Sequence, residues 1–289
     1  MRVLVQSFLL LHVLSTSAMA IDLEPLWDPS KPEVSEQRLR HALAIATGDD
    51  ALILQAQIAR TYGLRGDFEK ARTLLREIEP GIRTAGDEAR ARHQLELGRT
   101  FASATHPPEL RTPENKERAR SSFEAALSIA RAGQLDGLAI DAIHMLAFVD
   151  TAPADQLKWA QAALAVVDTS SQPAAKRWEA SIRNNLGYAL HQMGRYDEAL
   201  SQFKRAVVLR ERGTDAEATR VAHWMVAWTL RALNRTDEAL AIQLRLEREN
   251  DAAGRPDPYV FEELEALYRA RSDAAQAQHY ADRRRALGR

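Results

Sequence analysis

The chain contains no cysteine among its 289 residues. This absence excludes disulfide bridges, thiolate metal ligands, a cysteine nucleophile and lipid attachment through an N-terminal cysteine. Aromatic residues are scarce, at 6%, and the sequence lacks the alternating runs of Val, Ile or Thr that indicate β-strands. Ala, Leu, Arg, Glu and Gln predominate instead, and because most of these residues have high helix propensity, the composition predicts helices almost throughout.

An excess of charge of either sign is also missing. The chain has 39 basic and 40 acidic residues and a formal net charge of −1. No general electrostatic field therefore attracts nucleic acid, and we expect no nucleic-acid partner. Phosphate-binding glycine loops, the His-Glu-x-x-His zinc motif and the Gly-x-Ser-x-Gly nucleophile turn do not occur, so the sequence predicts no catalytic residue, no cofactor and no metal site.

A long apolar run occurs only within the first twenty residues. Arg2 precedes a mostly apolar stretch, 3–14, and small residues stand at Ala18 and Ala20. This order is typical of a secretory signal peptide, 1–20, cleaved after Ala20, because the stretch is shorter than the roughly 20 residues that span a bilayer. We expect a periplasmic or secreted protein without stable membrane insertion after cleavage. The alternative is a retained N-terminal anchor.

Proline marks the next segment, since Pro25, Pro29 and Pro32 all lie within residues 21–33. Each proline lacks a backbone N–H donor and has a fixed φ, so we expect an extended lead-in over 21–33. A helical repeat domain is expected to follow over 34–289.

The clearest repeat unit covers residues 185–206 and reads NLGYALHQMGRYDEALSQFKRA. Gly194 permits the first helix to end in a left-handed cap, Asp197 favours the start of the second helix, and small Ala199 lets the two helices approach closely. Weaker copies read YGLRGDFEKA at 62–71 and LRALNRTDEAL at 230–240, where Asn234 replaces the capping glycine.

This pattern resembles the tetratricopeptide repeat, in which a large and a small apolar residue open the contact between two helices and a glycine-containing stretch forms the turn. The resemblance implies an all-α, right-handed superhelical solenoid of about six antiparallel helix pairs. The alanines that follow the turns are 48, 41, 39 and 40 residues apart, at Ala71, Ala119, Ala160, Ala199 and Ala239. The standard spacing is roughly 34 residues, so longer helices or loops are expected here.

In this family the first helices of the pairs line a concave groove, which implies a non-catalytic scaffold that binds a protein or peptide there. On the corresponding face this chain carries aromatic, Met and amide side chains, which suit an extended peptide or a helix. These residues are His144, Met145, Phe148, Asn184, Asn185, Tyr188, Trp224, Met225 and Trp228. Alternatively, half of them pack between neighbouring helices. Trp159 and Trp178 are expected in the core or at seams between repeats.

Family members that hold chaperone C-termini use a clamp of Lys, Asn and Arg on successive first helices. Only Asn185 matches this clamp, and Val221 and Met225 stand where basic groups would be needed. Capture of an acidic C-terminal tail by that mechanism is therefore not expected.

A rival hypothesis is an exported helical enzyme or small-ligand receptor that uses Asp141, His144 and Asn184. Asp141 and His144 share a helix face, close enough to share a metal or a proton. A zinc site requires more ligands than this pair supplies, so a polar groove residue or a structural histidine is the preferred interpretation.

Overall fold

The computed structural model describes residues 21–288, and within this range the chain forms helices and turns without any β-strand. The predicted signal peptide, 1–20, lies outside the described residues. Two 3₁₀ turns, Glu24–Leu26 and Pro108–Leu110, accompany the α-helices. The helices are α1 Pro32–Leu43, α2 Gly48–Leu64, α3 Phe68–Ile82, α4 Asp87–Arg99, α5 Pro113–Ala132, α6 Asp136–Val149, α7 Pro153–Thr169, α8 Pro173–Lys176, α9 Glu179–Gln192, α10 Tyr196–Glu211, α11 Ala216–Ala232, α12 Thr236–Ala252, α13 Pro258–Ala270 and α14 Ala274–Ala286.

Most of these helices form six antiparallel pairs, which are α2/α3, α4/α5, α6/α7, α9/α10, α11/α12 and α13/α14. The second helix of each pair packs against the first helix of the next pair, so the pairs stack in chain order. Helix α1 packs against α2, and the short α8 joins α7 to α9. The expected all-α solenoid of about six pairs is confirmed. Within residues 21–288, no helix combines the length and the apolar composition needed to cross a bilayer.

The lead-in differs from the expected extended segment. Residues Glu24–Leu26 form a 3₁₀ turn, and helix α1 begins at Pro32 rather than at Val34. Proline fits the first position of a helix because its missing N–H has no partner there in any helix. Ser35 is fully buried and fixes the segment to α1, since its hydroxyl lies 2.8 Å from the amide N and 3.0 Å from the carbonyl O of Asp28.

The turns inside the pairs share one backbone conformation. In four pairs a residue with positive φ stands two positions before the second helix, at Gly66, Gly194, Asn234 and Ser272. Gly194 and Asn234 therefore adopt the left-handed cap that the sequence predicts. Asparagine tolerates this conformation better than most residues because its short side chain forms local hydrogen bonds.

Close contact inside two pairs depends on glycine. Gly187 on α9 faces the ring of Phe203 on α10, and Gly98 on α4 faces the ring of Phe123 on α5. A Cβ atom at Gly187 would lie 2.7 Å from Cε1 of Phe203, closer than van der Waals contact allows. Both rings are fully buried. Because glycine has no side chain, these two positions on the first helices leave space for the phenylalanine rings of the core.

The long connection between α4 and α5 folds back onto the turn between α2 and α3. Its His106 ring stacks on Phe68 with centroids 3.8 Å apart, and Thr105 Oγ1 donates to the carbonyl of Gly63 at 3.1 Å. His106 Nε2 donates to the carbonyl of Thr100 at 3.0 Å, and Nδ1 accepts from the Ser103 hydroxyl at 2.8 Å. The insert is therefore an ordered part of the N-terminal core.

Two buried histidines in this region are held neutral. His93 on α4 donates through Nε2 to the carbonyl of Leu75 at 3.0 Å, while its buried Nδ1 has no partner in the described part of the chain. Burial lowers the pKa of His93, and it also lowers the pKa of His106. Protonation would place a charge where water cannot solvate it.

We predict that Gly187→Ala lowers the free energy of unfolding by about 1–3 kcal/mol, because the new methyl group overpacks the contact with Phe203. Urea unfolding followed by circular dichroism measures the change. Gly63→Ala is the matched control, since a Cβ on this helical glycine of α2 meets no atom within 4 Å. The control should be neutral or stabilising by roughly 1 kcal/mol at most. Equal effects of the two substitutions would contradict the close contact.

We also predict that the folded chain loses stability as the pH falls from 7.5 to 5.0. Unfolded histidines bind protons below about pH 6.5, whereas His93 and His106 resist protonation in the folded state. The unfolded state then binds more protons, so the free energy of unfolding decreases with decreasing pH. Urea titrations at constant ionic strength should show a smaller decrease for the His93→Gln/His106→Gln variant.

His41→Gln, which replaces an exposed histidine of α1, is the control for this experiment. It should retain the full pH dependence of the intact chain. If the His93→Gln/His106→Gln variant loses as much stability as the intact chain over the same range, the two buried histidines are not responsible.

Candidate functional site

One face of the solenoid is formed by the first helices of the six pairs, α2, α4, α6, α9, α11 and α13, and we call it the inner face. Side chains on successive first helices contact each other along it. Arg60 lies 3.7 Å from Glu96, Asn185 Nδ2 donates to His144 Nδ1 at 3.3 Å, and Trp224 meets Tyr259 at a ring distance of 6.5 Å. Residues about forty positions apart are thus brought side by side.

The C-terminal half of the inner face carries a continuous set of rings, which we call the aromatic row. Trp228 stands at its centre: its ring stacks on His191 at 3.3 Å, on Trp224 at 5.7 Å and on Tyr188 at 6.0 Å, measured between centroids. Tyr259 adds an edge contact to Trp224. The row is defined by Tyr188, His191, Trp224, Trp228 and Tyr259, and it crosses α9, α11 and α13.

Part of this apolar surface is open to solvent. Tyr188 is 39% exposed and Tyr259 is 50% exposed, and their neighbours Phe148 and Val221 are 40% and 48% exposed. These four are among nine large apolar residues that are exposed within residues 21–288. Clustered exposure of large apolar side chains on one face is typical of a binding surface.

Two cavities adjoin the aromatic row. The larger, about 480 Å³, lies among α11, α12 and the start of α13 and is lined by Val221, Trp224, Met225, Pro258 and Tyr259. The buried indole N–H of Trp224 has no hydrogen-bond partner among the described residues. A donor in the wall of an apolar cavity can fix the orientation of a bound group.

The second cavity, about 190 Å³, lies between α6, α7 and α9. His144, Phe148, Asn185 and Tyr188 line it together with Trp159, whose Nε1 donates to Asp150 at 2.9 Å. Its size suits one apolar side chain, and Asn185 places an amide beside it.

His191 is the polar member of the aromatic row. Burial and the nearby Arg231 guanidinium lower its pKa to about 4. The imidazole is therefore neutral at physiological pH, and the face of its ring stacks on the Trp228 ring. Arg231 itself donates to both carboxylate oxygens of Glu263 on α13, at 2.8 and 2.7 Å.

The structure brings most of the predicted site residues to the inner face, with one correction. Met145 is 7% exposed and belongs to the core formed with α5 and α7, because it lies on the side of α6 that faces the second helices. Met225 divides its surface between the core and the larger cavity. Asn184 lines a third cavity, of about 550 Å³, with Trp178 and His144. Trp178 is half-buried and also packs against the core, as expected of a seam residue.

Sequence reasoning missed His191 and Tyr259. His191 follows Tyr188 by three positions and so lies on the same helix face, which was a sufficient signal. Tyr259 lies in the first turn of α13. The repeat pattern is weak there and did not indicate which residues of this helix face the groove. The contact of Tyr259 with Trp224 shows that Tyr259 lies on the inner face.

The N-terminal half of the inner face is charged instead of aromatic, and we call it the charged half. Arg99 on α4 forms ion pairs with Glu96 at 2.7 Å and with Asp141 on α6 at 2.5 Å. Burial opposes the ionisation of Asp141, but the guanidinium groups of Arg99 and Arg60 outweigh it, so the pKa of Asp141 lies below its usual value. Asp141 thus joins α4 to α6.

This pairing separates the three residues of the rival hypothesis. Asp141 lines a cavity with Arg92 and Arg177, whereas His144 and Asn184 line the neighbouring one. Burial lowers the pKa of His144 although the Asp141 charge opposes this. Within residues 21–288, no group of three or more His, Asp or Glu side chains is arranged to hold a metal ion. The three residues of the rival hypothesis therefore divide between two adjoining cavities, whose walls share Trp178 and Ser181.

Comparison with known proteins supports the repeat architecture. The tetratricopeptide-repeat family model matches residues 178–247, which contain the pairs α9/α10 and α11/α12. No curated protein shows significant similarity to the chain.

Several solved structures share the fold. A signal transduction ATPase with a tetratricopeptide-repeat sensor from Pyrococcus horikoshii aligns over 89% of this chain, with a TM-score of 0.67 and 14% identity. The alignment covers 39% of that protein, so this chain spans well under half of its length.

Two further structures align less closely. The nearly identical TPR-like repeats of a Podosopora anserina protein described as a kinesin light chain align over 72% of this chain and 99% of their own, with a TM-score of 0.53 and 17% identity. The quorum sensor NprR from B. thuringiensis, in its apo form, aligns over 91% of this chain and 83% of its own, with a TM-score of 0.51 and 13% identity. At these identities the likeness concerns the fold alone. Residues 178–247 thus match the tetratricopeptide-repeat family model, and the stacked pairs around them have the same helix-pair architecture.

Proposed function

We propose that the chain is a non-catalytic interaction scaffold whose aromatic row binds an extended segment or a helix of a partner protein. The observation that carries this proposal is the row itself: five rings on three successive first helices, partly exposed, beside a cavity of about 480 Å³.

The rings hold each other in place before any partner arrives. Trp228 touches three neighbouring rings, so its side-chain freedom is already restricted in the free protein. Binding then orders few additional side chains, which lowers the entropic cost of association. Large rigid rings of this kind are the residues that dominate the binding energy of protein interfaces.

Unpaired polar groups in the row and in the third cavity fit a polypeptide ligand. The Trp224 indole N–H and the Asn184 side-chain oxygen are buried and lack partners within the described residues. One donates and the other accepts, which are the two functions that a peptide backbone complements. Two of the similar structures are described as sensors, which agrees with recognition as the role of the fold.

We predict that Trp228→Ala weakens ligand binding by about ten-fold or more, as the loss of a central anchor does, while the helix content stays unchanged. A displayed random-peptide library is selected on the intact chain, and the affinities of the enriched peptides are measured by fluorescence anisotropy. Dissociation constants of roughly micromolar order are expected for a few such anchors.

Val208→Ala is the matched control, because Val208 is also an exposed apolar residue but lies on the second helix α10. This variant should bind like the intact chain. If the two variants bind alike, or if no peptide is enriched, the aromatic row is not the binding surface. If Trp228→Ala loses helix content, Trp228→Phe provides the smaller change for the same comparison.

We further propose that the chain is exported, as the apolar run at 3–14 and the small residues Ala18 and Ala20 suggest. Expression of the full chain in a Gram-negative host should give a periplasmic product that begins at Ile21, measured by cell fractionation and intact mass. An Ala18→Arg/Ala20→Arg variant should remain uncleaved, because signal peptidase requires small residues there. An intact chain with Met1 still present would contradict the proposal.

A further inference from the structure

The lead-in lies on the inner face instead of extending into solvent. Trp27 Nε1 donates to Oε1 of Gln57 on α2 at 3.1 Å, and the guanidinium carbon of Arg60 lies 5.3 Å from the Trp27 ring centroid. Arg60 in turn meets Glu96, one of the carboxylates of the charged half. Trp27 therefore covers the beginning of the charged half.

Glu24 carries the same segment to the other side of this surface. Its carboxylate pairs with Arg177 at 2.7 Å, a residue 153 positions along the chain, just before α9. Arg177 lines the cavity of about 460 Å³ that also includes Arg92 on α4 and Asp141 on α6. The four residues 24–27 of the lead-in thus join the first helix of the first pair to the segment just before the fourth pair, across α4 and α6.

The chemistry of the segment is complementary to what it covers. Residues 21–30 contain three carboxylates, Asp22, Glu24 and Asp28, and no basic residue. On the inner face, Trp27 meets the guanidinium group of Arg60 and the amide of Gln57, and the Glu24 carboxylate meets the guanidinium group of Arg177. The carboxylates of Asp22 and Asp28 accept hydrogen bonds within the lead-in itself. The Trp27 indole stacks on the Arg60 guanidinium, and the Glu24 carboxylate pairs with the Arg177 guanidinium. Both kinds of contact are favourable.

The contacts that hold the segment differ in strength. Glu24 and Arg177 are both mainly exposed, with 72% and 62% of their side-chain surface accessible, so their ion pair alone holds the segment weakly. Trp27 is the anchor, and Leu23 and Leu26 add partly buried contacts with the core of the first pair. Pro25 and Pro29 limit the conformations of the free segment and so lower the cost of binding.

From these contacts we propose that the charged half is a recognition surface for an acidic, tryptophan-bearing segment, and that residues 21–28 of the chain occupy it as an internal competitor. Arg60 and Gln57 receive the indole, and Arg177 receives a carboxylate three positions earlier. A partner segment of the same chemistry gains access when the lead-in is displaced. This surface is separate from the aromatic row, so neither proposal depends on the other.

The test uses a fluorescein-labelled peptide of residues 21–31 as the probe and full-length chains as receptors. Trp27→Ala/Glu24→Ala weakens the internal contacts and opens the charged half. We expect the probe to bind this variant about ten-fold or more tightly than the intact chain, because the internal competitor is weakened. Fluorescence anisotropy measures both affinities, and thermal melting shows whether the variant remains folded.

A charge exchange gives a second measurement that does not depend on removing Trp27. A probe with Glu24→Arg should bind the opened chain more weakly, and Arg177→Glu in that chain should restore its binding. Trp228→Ala, added to the opened chain, is the matched control and should leave probe binding unchanged, which separates the charged half from the aromatic row.

Equal binding of the probe to the intact and opened chains would overturn the proposal, as would absence of binding to a folded opened chain. If the opened chain does not fold, the decision comes from Glu24→Arg in an otherwise intact chain. This single charge reversal should increase binding of the natural probe, and the second change Arg177→Glu should abolish that increase. The lack of either effect overturns the proposal.

Discussion

The fold depends on close contact between the two helices of a pair, and in two pairs this contact requires a residue without a side chain on the first helix. Gly98 and Gly187 meet this requirement directly, and the rings of Phe123 and Phe203 fill the space. A single pair cannot bury both of its apolar faces, so each pair must pack against the next. Stacking therefore follows from the same contacts that close each pair.

Stacking has a direct consequence for the inner face. Because each first helix occupies the same position in its pair, residues one repeat apart become neighbours, as Asn185 and His144 or Trp228 and Tyr188 do. A surface of this kind is assembled from the sequence at intervals of about forty residues. Its chemistry can change along its length, and here it changes from ion pairs on α2, α4 and α6 to rings on α9, α11 and α13.

Both halves of the inner face combine paired and unpaired buried polar groups. In the charged half, Arg99 offsets the desolvation of Glu96 and Asp141 by pairing with both, and this geometry also fixes α4 relative to α6. In the aromatic row, the Trp224 indole N–H remains without a partner among the described residues. The charged half also has buried atoms without a partner among the described residues, Glu96 Oε2 and Gln57 Nε2. A buried polar atom without a partner costs free energy, which a ligand that supplies the missing hydrogen bond would recover.

The sequence by itself determined the repeat, the turns and much of the aromatic row. Gly194, Asn234 and Ala199 act locally, within a few residues, so their roles could be read from spacing alone. Contacts between residues far apart in the chain were decided only by the tertiary structure. Met145 lies in the core. Asp141 forms an ion pair with Arg99 rather than with His144, and Glu24 forms one with Arg177. The reason is that helical spacing gives the side of a helix on which a residue lies, whereas the packing of successive pairs determines which distant residue it meets.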